Sequence, residues 1–135
     1  MKYSARDIEI TARTVYGEAR GELEQGMIAV AWVIRNRAEK GGWWGNSPEV
    51  VCLYPWQFSC WNKTDPNLEK IKAADLDSDV FRKCLLVTAA VFSDIAPDPT
   101  KGACHYHVDG LNPKWAEGRE PDVTIGNHRF YVGVK

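Results

Sequence analysis

The acidic residue in the most unusual setting of this 135-residue sequence is Glu18, within Val15-Tyr16-Gly17-Glu18-Ala19-Arg20-Gly21-Glu22. Ser4 with Asp7 three residues on resembles a capping box, and Ile8, Ala12, Val15 and Ala19 recur at helical spacing. A first helix is therefore expected to run into Gly17-Glu18, leaving Glu18 in its last turn. The partial negative charge of a helix C-terminus disfavours a carboxylate, and packing against apolar neighbours desolvates it; both raise its pKa. A carboxyl kept partly protonated near neutral pH can serve as a general acid. The competing reading makes Glu18 a solvated helix-end residue paired with Arg20 or Arg13, which moves its pKa the other way.

Two further stretches carry chemistry. Pro55-Trp56-Gln57-Phe58-Ser59-Cys60-Trp61 alternates aromatic with polar residues, as an extended segment would, with Gln57 and Ser59 facing one way. Indole faces and planar amides or hydroxyls suit sugars, although each Trp here also suits a core. His105 and His107 flank Tyr106 and point to one face of a strand, forming half of a zinc site if His128, Asp109 or Cys104 supplied a third ligand. Structural, hydrogen-bonded histidines are the alternative. Helical H-E-x-x-H, G-x-S-x-G and phosphate-cradling motifs are missing. Cysteines 52, 60, 84 and 104 include no C-x-x-C pair and are read as free thiols.

The element that must position Glu18 is the run Met27 to Ile34, apolar at eight successive positions. A helix apolar on every side belongs in a core, so Glu22 to about Lys40 is read as the central helix. Glu22 and Glu24 then fall in its first turn, where negative charge is stabilised without any catalytic role. Gly41 to Asn46 is a connection, and Ser47-Pro48 caps a short helix from Pro48 to Leu53. Asn67 to Ala74 and Ser78 to about Asp94 read as helices, the longer one largely buried through Val80, Leu85, Val87, Ala89 and Val91. Pro97 and Pro99 end it. Cys104 to Val108, Val123 to Ile125 and Arg129 to Val132 read as strands. The expectation is one α+β domain over 1–135, mostly helical, with a small antiparallel sheet in its C-terminal third.

The motif from Ala12 to Glu22, the run Gly26 to Arg37, Pro55 to Trp61, Ala103 to His107 and Ile125 to Tyr131 together resemble the spore-cortex-lytic and phage cell-wall hydrolase family. The resemblance spans nearly the whole chain in order. It implies a lysozyme-like domain that cleaves the glycan strand of peptidoglycan with Glu18 as catalytic acid. It also implies that His105-Tyr106-His107 lines the cleft facing Glu18. Trp115 sits in a Pro-x-Trp-Ala turn similar to the family's. Cys104 departs from the family pattern, which has threonine there. Substrate-binding candidates are Gln57, Phe58, Ser59, Trp61, His105, Tyr106, His107, Trp115 and His128; no metal and no cofactor is expected. The family includes lytic transglycosylases, and no confident second carboxylate is visible. The expected reaction is therefore attack by the C6 hydroxyl of N-acetylmuramic acid on its own anomeric carbon. The alternatives are a zinc-dependent peptidoglycan amidase or endopeptidase using His105 and His107, and a non-catalytic peptidoglycan-binding module.

With 17 basic against 18 acidic residues the net charge is -1, which excludes the global basic field of a nucleic-acid binder. No stretch approaches the roughly 20 apolar residues that span a bilayer, and MKYSARDIEI has no apolar signal region. These features predict synthesis in the cytoplasm without a signal peptide, no stable membrane association and action at the bacterial wall. Such an enzyme needs another agent to reach its substrate, and a phage lysin released by a pore protein fits.

Overall fold

Helix α1 (Ala5–Ala19) begins at the expected capping box: the Asp7 amide donates to Ser4 Oγ at 3.0 Å, and the Ser4 amide to Asp7 Oδ2 at 2.9 Å. These features come from a computed structural model that describes residues 2–134. The other Asp7 oxygen accepts from the Glu49 amide at 3.1 Å, tying α1 to the start of α3 (Pro48–Leu53). That short helix has the expected bounds, with Ser47 as its cap.

Helix α2 (Glu24–Lys40) is the core element. Ala29, Val30, Ala31, Val33 and Ile34 are wholly buried, while Ile28 and Trp32 are partly so. α2 starts two residues later than expected, with Leu23 as N-cap, so Glu22 lies in the bend before it and not in its first turn. α4 (Asn67–Ala73) and α5 (Asp79–Phe92) follow. α5 buries one face, through Phe81, Cys84, Val87, Thr88, Val91 and Phe92. Val80 and Ala89 are exposed, so the expectation of a largely buried helix is corrected at those two positions: the buried apolar residues recur at helical spacing on one side.

The strands are β1 (His105–Val108), β2 (Val123–Ile125) and β3 (His128–Tyr131), antiparallel in the order β1-β3-β2. Phe130, at the centre of β3, packs with Ala29, Val33 and Ala103 and so fixes the sheet on α2. The small alanines let the ring approach the helix. This mostly helical α+β domain matches the expected class.

Pro55 to Trp61 is not extended. It forms turns and a 3-10 turn at Ser59–Trp61, and Trp56 adopts φ of 69° with its indole exposed. Aromatic–polar alternation misled here because burial of Phe58 and Cys60 against the helices, not sheet pairing, sets the pattern. Among the described residues no helix is long and apolar enough to cross a membrane.

Candidate active site

Glu18 sits in the last turn of α1, as expected, at the wall of a cleft of about 650 Å³. Gly17 makes the approach possible. A Cβ there would lie 2.8 Å from Cys60 Sγ and 3.0 Å from Ile71 Cγ2, so only glycine lets the 59–61 turn pack against α1. Across the cleft the Tyr106 hydroxyl donates to Glu18 Oε1 at 2.8 Å. Burial raises the Glu18 pKa above the usual carboxyl value; the Tyr106 and Cys60 hydrogen bonds and the Arg37 charge oppose this, while Asp65 adds to it. The arginines that could have neutralised Glu18 as a surface pair are engaged elsewhere. Arg13 donates to the Ile71 and Ala74 carbonyls and pairs with Glu9, and Arg20 donates to Tyr16 O and Asn67 Oδ1. The reading of a solvated, paired Glu18 therefore does not hold.

Of the expected binding residues, Gln57, Ser59, Tyr106, His107, Trp115 and His128 line the cleft. Tyr106 and His107 both do so from opposite faces of β1, which is an edge strand. His107 Nδ1 lies 2.9 Å from the Val108 carbonyl, which can only accept, so Nδ1 carries a proton; Nε2 pairs with the Tyr131 hydroxyl at 2.8 Å. Trp115 packs its ring edge against Tyr131 at 5.1 Å.

Three expected residues do not reach the cleft. Phe58 is 2% exposed and packs in the core. Trp61 lies partly buried against the core and donates its indole N–H to Thr14 Oγ1 at 2.9 Å, a structural bond to α1. His105 is held between Trp44 and Trp115, with centroids 5.5 and 5.1 Å away, and burial lowers its pKa to about 4. His105 and His107 do share a face, both touching Trp115. His128, however, packs on Tyr106 on the opposite face. Among the described residues no three His, Cys, Asp or Glu side chains come close enough to hold a metal ion, so the donor set of the zinc reading is not assembled. All four cysteines are free, Cys52, Cys60 and Cys84 buried and Cys104 partly so.

Two contributors were missed in the sequence. Arg37, one helical turn beyond the apolar run, is buried and lines the cleft. Its Nε donates to Cys104 O at 2.8 Å and its Nη1 to Gln57 Oε1 at 3.3 Å, with the guanidinium over the Trp44 and Phe58 rings. Burial lowers its pKa, with neighbouring groups opposing. The only hint was a charged residue continuing a buried face. The second is Glu22, whose carboxylate accepts from Asn127 N at 2.9 Å and Asn127 Nδ2 at 3.1 Å, clamping the β2–β3 turn to the α1–α2 bend. Gly126, at φ of 56°, leaves the space; a Cβ would fall 2.4 Å from Glu22 Oε1.

Comparison with known proteins gives the family. The family described as Cell Wall Hydrolase matches residues 21–131, beginning three residues after Glu18. A spore cortex-lytic enzyme of Bacillus cereus is 32% identical over 129 residues, covering 95% of this chain and 45% of its own length. One of Halalkalibacterium halodurans is 60% identical over 131 residues, covering 95% and 35%. The chain thus spans less than half the length of these curated relatives. The solved catalytic domain of the germination-specific lytic transglycosylase SleB from Bacillus anthracis superposes with a TM-score of 0.72 at 31% identity, over 96% of each chain. By sequence along most of its length and by fold, the chain belongs to the cell wall hydrolase family.

Proposed function

We propose that this domain cleaves the glycan strand of peptidoglycan as a lytic transglycosylase, with Glu18 as general acid and then base. The observation that carries the reading is a carboxyl with a raised pKa, fixed by the Tyr106 hydroxyl, at the wall of an open cleft. Among the described residues lining that cleft, Glu18 has the sole carboxyl group. Glycosidases with two catalytic carboxylates hold them about 5 to 9.5 Å apart. The nearest sequence candidate, Glu22, has both oxygens engaged by Asn127. A single acid suffices when the nucleophile belongs to the substrate. The C6 oxygen of N-acetylmuramic acid bonds to C1, the C1–O4 bond breaks, and the Glu18 proton passes to O4. The resulting carboxylate takes the C6 hydroxyl proton, restoring the acid.

Gln57 and Ser59 offer an amide and a hydroxyl to sugar hydroxyls, and Trp115 offers an apolar face. The similar solved structure, described as a lytic transglycosylase, supports the same class. Mass spectrometry of a digest of purified peptidoglycan tests the proposal: ends of 1,6-anhydro-N-acetylmuramic acid support it. Reducing ends, heavier by one water, would replace it with a muramidase or glucosaminidase. A phage-lysin setting, with a partner pore protein passing the enzyme to the wall, rests on the motif resemblance; lysis only on co-expression with a pore protein tests it.

A further inference from the structure

Glu22 does more than clamp a turn. Its Oε1 lies 3.6 Å from His128 Nδ1, just beyond hydrogen-bond length, and that nitrogen is sealed from solvent without any other partner. His128 is 3% exposed yet lines the cleft, and it packs edge-on against Tyr106, the residue that holds Glu18. The imidazole is thus one ring away from the reacting carboxyl.

A carboxylate can only accept, so the nitrogen facing it carries the proton. The remaining nitrogen of a neutral imidazole then keeps its lone pair. Hydrogen bonds that look long in a ligand-free site commonly shorten when substrate binds. Burial, opposed by Glu22, lowers the His128 pKa and so favours the neutral ring.

We propose that Glu22 and His128 form a carboxylate–imidazole pair in which Glu22 fixes the Nδ1–H tautomer. His128 Nε2 is then presented to the cleft as a hydrogen-bond acceptor for a sugar hydroxyl beside the bond that breaks. Glu22 is a positioning residue; His128 is the group that touches substrate. The inference rests on the proposed glycan substrate but adds the polarity of one contact and the residue that sets it.

Substitution at His128 separates the pair from the clamp. In Glu22→Gln the amide oxygen stays on the Asn127 N–H, which can only donate, and so still faces His128 Nδ1, while the Asn127 side-chain amide turns to accept from the new NH2. His128→Phe keeps the ring packing on Tyr106 and leaves the Asn127 clamp untouched. Nitrogen-15 NMR of the imidazole should show Nδ1–H in the wild-type chain and in Glu22→Gln, and loss of that preference in Glu22→Ala, which removes the acceptor. Glycan release from purified peptidoglycan should fall about 10- to 100-fold in kcat/KM for His128→Phe and Glu22→Ala, as for a buried polar contact left unmatched, and be retained in Glu22→Gln. His128→Phe should melt near the wild type. An Nε2–H tautomer in the wild type, or a folded His128→Phe variant within twofold of wild-type kcat/KM, overturns the pair. If the wild type released no glycan at all, the proposed function would fall, and the tautomer measurement would still decide the pair.

Discussion

Replacing Glu18 with Gln should separate catalysis from stability. The amide keeps the volume, and its carbonyl can still accept from the Tyr106 hydroxyl that now lies 2.8 Å from Oε1. What disappears is the transferable proton. General acid–base catalysis contributes about 10²- to 10⁴-fold, so release of glycan should fall by at least about 100-fold, equivalent to about 3 to 5 kcal/mol in the barrier. Stability should move the opposite way at neutral pH. Burial raises the Glu18 pKa in the folded chain above its ordinary 4.5. Between those two values the folded state therefore binds more protons than the unfolded one, and stability falls as pH rises through that window. Above it the wild type carries the full cost of a desolvated carboxylate, which Gln does not. The variant should accordingly melt higher than the wild type at pH 7, with the gap closing as pH falls below about 4.5. Turbidity of suspended peptidoglycan and scanning calorimetry at both pH values give the two readings. Activity within tenfold of wild type refutes the role of Glu18. A lower melting temperature at pH 7 with equality at pH 4 refutes the argument from burial.

Tyr106→Phe removes a donor that lowers the Glu18 pKa, so the alkaline limb of the pH–activity profile should move to higher pH; a shift to lower pH contradicts the arrangement. Gly126→Ala forces a side chain into left-handed backbone and against Glu22, and should cost about 2 to 4 kcal/mol in denaturant unfolding. An unchanged midpoint would show the clamp to be slack. Ala31→Asp places a carboxylate at a fully buried position of α2 and should prevent folding, since several kcal/mol approaches a typical total of about 5 to 15; circular dichroism reads the result. EDTA should leave glycan release unchanged, and loss restored by one equivalent of zinc would revive the peptidase reading.

The local devices were legible because adjacent residues encode them. Ser4 and Asp7 close their capping box, Pro48 sits at the start of α3, and the apolar run from Met27 to Ile34 can only be satisfied inside a core. The position of Glu18 at the end of α1 follows from the same helical period, and the motif stretches in order already pointed to the family. The cleft itself was not written in any local pattern. Tyr106 reaches Glu18 across 88 residues of chain, and Arg37 meets Gln57 only because the 57–61 turns fold back over α2. Glu22 looked like a helix-start acid because charge alone explains such a residue; its engagement of Asn127, 105 residues on, depends on where Phe130 seats the sheet. Alternation in Pro55 to Trp61 mimicked a strand because core packing, like a sheet, buries some residues and exposes their neighbours. Periodicity reports which residues seek burial, and the tertiary packing of sheet on helix decides what they meet there.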